Sequence, residues 1–488
     1  MLFNSVQFAF FLPIVFLLYW FAFDRFISKS KWQLRLQNAF VLVVSYVFYG
    51  WWDWRFLLLI AFTSLCSWCS GLLIWKVETR KKAKIWMWIN IVLNLGILAL
   101  FKYYDFFITE FAQLFHIQTD GLLLKVILPV GISFYTFQAL SYSIDVYRGK
   151  IEPTKDIVAF FAFISFFPQL VAGPIERATH LLPQFLKKRV FDYDTAIDGM
   201  RQILWGLFKK LLVADKCAQT VDAVFYWHGR VAMPGSELLL AAILFSFQIY
   251  ADFSGYSDIA IGTAKLFGIK LTRNFNNPYF SRNVTEFWRK WHISLMNWLR
   301  DYVYIPLGGN RVNKLKNIRN ILIVFLLSGL WHGANWTYVM WGLYHALLVV
   351  ILVLMGKSQS KSPLIAQGKM LPSWKEFLQM VITFCLITFG WIVFRAENLT
   401  DFVQYVQGLC QVGTLRACYR FFIQSDIWPK TVLILVMMVV EWLQRDKEHG
   451  LEISQMRPWL RWGICFVLAF AMVIFTDTKI GSFIYFQF

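Results

Sequence analysis

The chain contains repeated apolar runs of about 20 residues, and these runs limit what it can fold into. A helix of that length crosses the hydrocarbon core of a bilayer, where the backbone must satisfy its own hydrogen bonds. Hydrophobic residues make up 58% of the 488 residues and charged residues only 16%, against about 25% charged in soluble domains. The sequence therefore predicts one all-α, polytopic membrane domain over residues 1–488, rather than a soluble enzyme.

About eleven to thirteen transmembrane helices can be drawn along the sequence. The first run, 6–23, has no basic region and no small-residue cleavage site, so we expect a retained helix rather than a signal peptide. The run 237–267 is long enough for two shorter or broken helices. The remaining runs lie at 39–52, 56–75, 86–101, 122–146, 156–172, 196–213, 318–336, 337–356, 375–394, 431–444 and 459–476.

Lysine and arginine are concentrated in short loops, as expected for loops that face the cytoplasm. The basic loops 24–38 and 76–84 are separated by two predicted helices, so both fall on one side, and the charged segment 445–457 is placed there as well. This arrangement predicts that the N-terminus and Phe488 lie outside the cytoplasm. It also accounts for the net charge of +19 without nucleic acid as a partner, since no nucleic-acid-binding module is recognisable.

One region, 248–336, combines charged side chains with Trp, Tyr and Gly beside strongly apolar runs. Ionisable groups at membrane depth are costly unless they face a cavity or pair with one another, so this region is the first candidate for a functional site. Its ionisable residues include Asp252, Asp258, Arg273, Arg282, Glu286, Arg289, Lys290, His292, Arg300, Asp301 and Arg311.

The segment 287–307, FWRKWHISLMNWLRDYVYIPL, is predicted to form an amphipathic helix. Projected at 100° per residue, its tryptophans share one stripe, Arg289 and Asn297 lie on the other side, and His292 lies near the boundary. Such a helix lies at a membrane surface or lines a wet funnel. Two interpretations of His292 stay open: a hydrogen-bonded histidine of an interfacial helix, or a residue of the functional site.

His332 lies between Gly329 and Gly333 in the middle of an apolar run. Glycine lets the backbone bend and approach a ligand closely, and a neutral imidazole can act as a general base near pH 7. His332 is therefore the main catalytic candidate, and a buried structural histidine is the alternative. His345 would lie ~20 Å further along a straight helix at 1.5 Å per residue. It could share the site only if the helix is broken, so we expect it to pack.

The sequence has no HExxH, Walker or GxSxG motif and no cysteine spacing typical of zinc, so it predicts no metal site and no NTPase or serine-hydrolase chemistry. A histidine in apolar surroundings suits acyl transfer, in which a base takes the proton of an alcohol that attacks a thioester carbonyl. The alternative is a non-enzymatic transporter or a flippase. A transporter should contain paired inverted repeats, whereas this sequence has one polar centre, toward its C-terminal half.

Six segments, in the same order along the chain, resemble the membrane-bound O-acyltransferase family, and within it the bacterial branch that serves alginate O-acetylation. The likeness is dense over 128–399 and extends to the FIYFQF ending, while 400–488 forms a C-terminal extension with two further spans. The segments are LPVGISFYTFQALSYSIDVYRG, FFPQLVAGPIERA, QIYADFSGYSDIAIGTAKLFGIKLTRNFNNPY, FWRKWHISLMNWLRDYVYIPLGGNR, SGLWHGANWTYVMWGLYH and GWIVFRAENL.

The resemblance implies a ring of tilted helices around a central tunnel that leads to a histidine from the cytoplasmic side. It makes His332 the catalytic histidine and His292, in the WHISL motif, the second polar position. His292 and Asn335 would orient the reactants or polarise the acyl carbonyl. Arg289 and Lys290 would attract an anionic donor at the cytoplasmic mouth.

The resemblance also implies an enzyme of the bacterial inner membrane that uses acetyl-CoA or another acyl thioester and holds no tightly bound cofactor. Acetyl groups would cross the membrane toward a hydroxyl of an exported, alginate-like polysaccharide, with a periplasmic hydrolase-like acetyltransferase as partner. The alternative within the family is transfer of D-alanyl or another acyl group to teichoic acid or another cell-envelope glycan.

Overall fold

The computed structural model describes residues 1–22, 32–119, 121–171, 173–228, 233–357, 364–411, 413, 415–476, 481 and 483–484. Within these residues the regular secondary structure is helical and no β-strand occurs, so the predicted all-α class is confirmed. The chain divides into two compact units. Unit 1 is Met1–Ile203 with Ile259–Thr272, and unit 2 is Leu204–Asp258 with Arg273–Phe488.

Unit 1 begins with α1 (Val6–Leu17), which continues as a π-helical turn to Ala22. The helices that follow are α2 (Gln33–Gly50), α3 (Phe56–Lys76), α4 (Arg80–Lys102), α5 (Tyr104–Leu114), α6 (Ile132–Tyr147), α7 (Ile157–Ser165), α8 (Phe167–Leu170), α9 (Ala178–Phe185) and α10 (Tyr193–Leu207), the last of which ends in unit 2. Helix α3 packs against α4 and α6, and α2 packs against α7.

Uncharged polar side chains connect α3, α4 and α6 in the interior of unit 1. Asn90 donates to Ser143 Oγ at 2.7 Å, and its side-chain oxygen accepts from Ser67 at 3.2 Å and from Asn94 at 2.9 Å. Small and amide side chains of this kind let membrane helices approach closely and hydrogen-bond to one another. We refer to these four residues as the Asn90 network.

In unit 2 a π-helical turn (Phe208–Ala214) leads from α10 into α11 (Asp215–Trp227). The later helices are α12 (Gly235–Leu266, which enters unit 1 after Asp258), α13 (Val284–Lys290), α14 (Ile293–Leu299), α15 (Lys314–His332), α16 (Trp336–Leu354), α17 (Trp374–Arg395), α18 (Leu399–Leu409), α19 (Leu415–Gln424), α20 (Ile427–Leu443) and α21 (Pro458–Phe475). Helices α15 and α16 pack along each other, α16 packs against α17, and α13 contacts both α16 and α17.

Asparagine and serine side chains fix where several of these helices begin. Asn313, Asn335 and Asn398 each accept a hydrogen bond from a backbone N–H in the first turn of α15, α16 and α18. Ser373 and Glu376 form a reciprocal capping box at the start of α17. These side chains satisfy backbone donors that have no partner within the helix.

Six described helices are long and apolar enough to cross a membrane: α3, α4, α12, α16, α17 and α21. Helix α1 with its π-helical turn is a shorter apolar helix. Length and composition therefore agree with a membrane protein that has several spans.

Two predicted spans are wrong as continuous helices. In 122–146, helix begins only at Ile132, because Pro129 restricts the residue before it and Gly131 takes φ +74°. In 156–172, α7 ends at Ser165 and Pro168 lies in the first turn of the separate short helix α8. Proline fits the first turn of a helix but removes a hydrogen bond from its interior.

The predicted run 237–267 forms one continuous helix, α12, rather than two. Its interior glycine Gly255 does not break the helix but allows close packing within unit 2. A Cβ at Gly255 would lie 2.7 Å from the carbonyl oxygen of Gly206 in α10. The glycine is therefore required for close approach of two helices.

Candidate active site

The predicted helix over 287–307 is wrong, because the chain breaks between α13 and α14 at Trp291 and His292. His292 has φ +45° and ψ +51°, in the left-handed region that non-glycine residues rarely adopt. A distant segment pairs with the backbone on both sides of the break. The N–H of Asn276 donates to the Lys290 carbonyl at 2.9 Å, and the N–H of Ile293 donates to the Asn274 carbonyl at 2.9 Å.

The same segment fixes the protonation of the His292 ring, which is 1% exposed. Nδ1 lies 3.1 Å from Asn274 Oδ1, and because an amide oxygen only accepts, Nδ1 carries the proton and Nε2 keeps the lone pair. The amide itself is held by Ser294, which donates to Oδ1 at 2.9 Å, and by Ser257, which accepts from Nδ2 at 3.2 Å. Burial lowers the pKa of His292 to about 3, so the imidazole is neutral.

A second break, between α15 and α16, carries His332. His332 is the last residue of α15 and is 5% exposed. Gly333 then takes an extended conformation, and Asn335 caps α16 by accepting from the N–H of Thr337 at 3.0 Å. The structure therefore places His332, buried, at a helix break that contains Gly333.

Aromatic rings surround the His332 imidazole. Its ring centroid lies 4.9 Å from that of Trp331, 5.1 Å from that of Trp341 and 5.1 Å from that of Phe394. Trp331 also contacts His292, with ring centroids 5.5 Å apart. The structure therefore brings the two predicted site histidines to the same indole, although they are 40 positions apart in the sequence.

Asn335 is held by backbone groups at both polar atoms of its side chain. Besides capping α16, it donates from Nδ2 to the carbonyl of Glu397 at 2.8 Å. The N–H of Glu397 donates to Asp401 at 3.0 Å, and His228 Nε2 lies 2.7 Å from the other oxygen of that carboxylate. This chain of contacts positions the loop that follows His332, so Asn335 can support the histidine without contacting a reactant.

The two predicted anion-binding residues differ in their surroundings. Lys290 Nζ lies 2.8 Å from Glu286 Oε1, and Glu286 also pairs with Arg282 at 2.9 Å. Arg289 is exposed and forms no ion pair with any residue in the described part of the chain. Arg289 is thus better placed than Lys290 to meet an anionic ligand.

His345 lies nearer to His332 than the straight-helix estimate of ~20 Å suggested. The helix is not straight, because the chain turns back at Gly333–Asn335, and α15 and α16 pack along each other. The His345 ring centroid lies 5.0 Å from that of Trp341, the indole that also contacts His332. Only the break, which periodicity did not reveal, makes this proximity possible.

Sequence analysis did not single out two buried lysines on the π-helical turn that follows α10. Lys209 Nζ lies 2.6 Å from Asp258, and Lys210 Nζ lies 2.8 Å from Asp252 and 2.9 Å from Asp215. The acidic residues 252 and 258 of the polar region are therefore paired, as buried charges require. Two adjacent lysines inside the predicted span 196–213 were the signal that could have identified these pairs.

Residues 153–393, which contain both histidine-bearing breaks, match the model of the membrane-bound O-acyltransferase family. The chain is 38% identical over 420 residues to the probable alginate O-acetylase AlgI of Pseudomonas aeruginosa, a match that covers 85% of this chain and 76% of that protein. It is 31% identical over 534 aligned positions to the peptidoglycan O-acetyltransferase of Helicobacter pylori, with coverage of 100% and 98%.

A third relative, the teichoic acid D-alanyltransferase of Bacillus subtilis, is 31% identical over 281 residues, which cover 55% of this chain and 69% of that protein. The resemblance inferred from the six segments is thus confirmed, and the enzyme is favoured over the transporter. The chain belongs to the membrane-bound O-acyltransferase family and is an O-acyltransferase.

Proposed function

We propose that the enzyme takes acetyl groups from a cytoplasmic thioester, acetyl-CoA, and passes them toward a hydroxyl of an exported, alginate-like polysaccharide, with His332 as the general base. The burial of His332 within an aromatic cage at a helix break carries this proposal. The names of the P. aeruginosa and H. pylori relatives support acetyl as the group transferred and a glycan as the acceptor.

The proposed reaction needs one proton carrier. The hydroxyl oxygen attacks the thioester carbonyl while its proton moves to the His332 imidazole, which gives a tetrahedral oxyanion and an imidazolium. The C–S bond then breaks, the thiolate takes the proton from the imidazolium, and an ester and a free thiol result. A positioned base of this kind contributes typically 10²–10⁴-fold in rate, and the surrounding rings exclude water that would hydrolyse the thioester.

In this proposal His292, Asn335 and Arg289 position the reactants or the base and do not transfer the proton. His292, neutral and held by Asn274, orients a reactant next to Trp331. Asn335 fixes the loop after His332 through Thr337 and Glu397. Arg289, which is exposed, attracts the phosphates of the donor.

The proposed location is the bacterial inner membrane, with loops 76–84 and 445–457 in the cytoplasm and the N-terminus outside. Most of the basic loop 24–38, and the terminal Phe488, lie outside the described residues. The proposed partner is a periplasmic hydrolase-like acetyltransferase that receives the acetyl group. Cysteine labelling from either side of the membrane tests the topology, and an external 76–84 loop would contradict it.

The experiment for the function itself uses purified protein in vesicles with [¹⁴C]acetyl-CoA, a polysaccharide acceptor and a periplasmic hydrolase-like acetyltransferase. We expect label in the glycan that mild base releases as acetate, and no such label with His332→Ala. Arg289→Glu should raise the KM for acetyl-CoA, whereas Arg420→Glu, a control at an exposed arginine of unit 2 outside the 248–336 region, should not. Absence of transfer by the wild type with every acyl thioester and acceptor tested would reject the proposal.

Transfer of D-alanyl groups to teichoic acid is the second candidate, because the B. subtilis relative has that name. That relative covers 55% of this chain, whereas the P. aeruginosa protein covers 85%. A D-alanyl thioester of a carrier protein, supplied in the same assay, separates the two candidates. Faster turnover of the D-alanyl donor than of acetyl-CoA would replace the first candidate with the second.

A further inference from the structure

Three buried rings from two helices meet beside the His332 cage. Trp288 lies on α13, and Trp341 and His345 lie on α16. The ring centroids of Trp288 and Trp341 are 5.4 Å apart, and each lies 5.0 Å from that of His345. None of the three side chains is more than 5% exposed. We call these residues the Trp–His cluster.

The polar atoms of the Trp–His cluster have no hydrogen-bond partner among the residues that the structure describes. These atoms are the two ring nitrogens of His345 and the indole N–H groups of Trp288 and Trp341. A neutral imidazole always offers one donor and one acceptor, and an indole only donates. Buried groups of this kind are normally paired, and an exception calls for an explanation.

His345 fills a close-packed place in which its two ring nitrogens gain no hydrogen bond from the described residues. Gly390 of α17 faces the imidazole, and a Cβ there would lie 2.6 Å from His345 Nε2. An apolar side chain at this position would leave no polar atom unpaired, whereas a buried polar group without a hydrogen bond costs stability. Stability alone therefore does not explain a histidine at this position.

The chemistry of the Trp–His cluster indicates what it would bind. Its rings supply three N–H donors, two from indoles and one from the imidazole, against a single acceptor. An oxygen with lone pairs and no proton complements such a set better than a hydroxyl does. Uncharged donors in a water-excluded site also stabilise negative charge that develops on such an oxygen during reaction.

We infer that the Trp–His cluster binds the carbonyl oxygen of the transferred acyl group and stabilises the oxyanion that forms on it. The inference rests on the proposed function, and it assigns His345 a role in place of the packing expected from the sequence. The Trp341 ring contacts both the His345 and His332 rings, so the acyl carbon would lie between the base and these donors. When the hydroxyl attacks, the carbonyl electron pair moves to this oxygen, and it returns when the C–S bond breaks.

The test is His345→Phe in the vesicle assay with acetyl-CoA. For the folded variant the inference predicts a kcat about 100-fold or more below that of wild type, with little change in KM. His345→Gln restores an N–H donor and should recover part of kcat. Trp288→Phe removes one donor without touching His332 and should lower kcat about tenfold or more.

His449→Phe is the matched control, because His449 is also buried, at 4% exposure. Its Nδ1 accepts from the N–H of Leu451 at 3.2 Å, so the substitution leaves a donor unpaired. It should lower thermal stability and leave the kcat of the folded protein unchanged.

The outcomes separate this inference from the proposed function. If wild type transfers acetyl in a His332-dependent way and both His345→Phe and Trp288→Phe match its kcat, the inference is overturned and the proposed function stands. If His345→Phe does not fold, Trp288→Phe decides alone. If wild type transfers no acyl group, both fail together.

Discussion

The Asn90 network of unit 1 and the polar groups around the candidate site of unit 2 are buried in different ways. In unit 1 the Asn90 network joins α3, α4 and α6 through hydrogen bonds between uncharged side chains. In unit 2 His292 has a left-handed backbone conformation, and the ring nitrogens of His345 have no hydrogen-bond partner among the described residues. Lys209 and Lys210 form ion pairs with buried or half-buried carboxylates. Paired neutral groups hold membrane helices together, whereas groups that cost stability indicate a functional site.

The largest effect is expected where unit 2 packs most tightly beside its site. A Cβ at Gly329 would overlap the Tyr338 carbonyl oxygen and lie 3.5 Å from Gly342 Cα, so Gly329→Trp should force α15 and α16 apart. We expect loss of both the folded protein, measured by size-exclusion chromatography, and acetyl transfer. Gly96→Trp is the control in unit 1, because nothing lies within 4 Å of a Cβ there. A folded, active Gly329→Trp protein would show that this packing is dispensable.

A smaller effect is expected at the first break of unit 2. His292→Ala removes the imidazole from the left-handed position, and loss of a positioning group should lower kcat about 10- to 100-fold. His292→Asn is the matched variant, because asparagine tolerates φ > 0. It should lose activity while keeping more of the thermal stability than the alanine variant does. Unchanged kcat in both variants would assign His292 a purely structural role.

In unit 1 the expected effect is on stability alone. Asn90→Ala removes three hydrogen bonds of the Asn90 network and should lower stability by about 1–3 kcal/mol, measured as a lower Tm in detergent. Specific activity per folded molecule should stay at the wild-type value. A lower specific activity with an unchanged Tm would show that the Asn90 network contributes to catalysis, which would contradict the contrast between the two regions.

The smallest effect concerns pH and the pair of His228 and Asp401. Burial disfavours the charged imidazole, but the hydrogen bond and charge of Asp401 outweigh it and raise the pKa of His228. A raised pKa in the folded state gives stability that is present at low pH and is lost as pH rises through that pKa. As the pH rises above about 6.5, the ordinary pKa of histidine, the Tm of wild type should fall more steeply than that of His228→Gln. Parallel curves would show that the pair does not stabilise the loop that holds Asn335.

Local sequence patterns predicted helix boundaries correctly where interactions between residues close in sequence determine them. The predicted spans 375–394 and 459–476 match α17 and α21 to within one residue at each end, because capping and proline signals mark their boundaries. Local patterns did not predict the helix break at His292, which is stabilised by Asn274 and Asn276 on another segment of the chain. Periodicity reports the intrinsic tendency of one segment and contains no information about such partners.

The site was predicted in part for the same reason. Glycines beside His332 indicated the bend, but the pairing of Lys290 with Glu286 and the return of His345 toward Trp341 depend on how helices pack. The cap made by Asn335 is a local signal, whereas its bond to Glu397 is not. Tertiary contacts therefore decided which polar residues share the site.

The most direct test of a histidine-centred site in unit 2 is the His332→Ala protein, purified and folded, with [¹⁴C]acetyl-CoA and acceptor. His332→Ala removes the only group proposed to carry the proton, so acetyl transfer should be abolished, with a Tm close to that of wild type. Transfer by folded His332→Ala at the wild-type rate would contradict the assignment of the base.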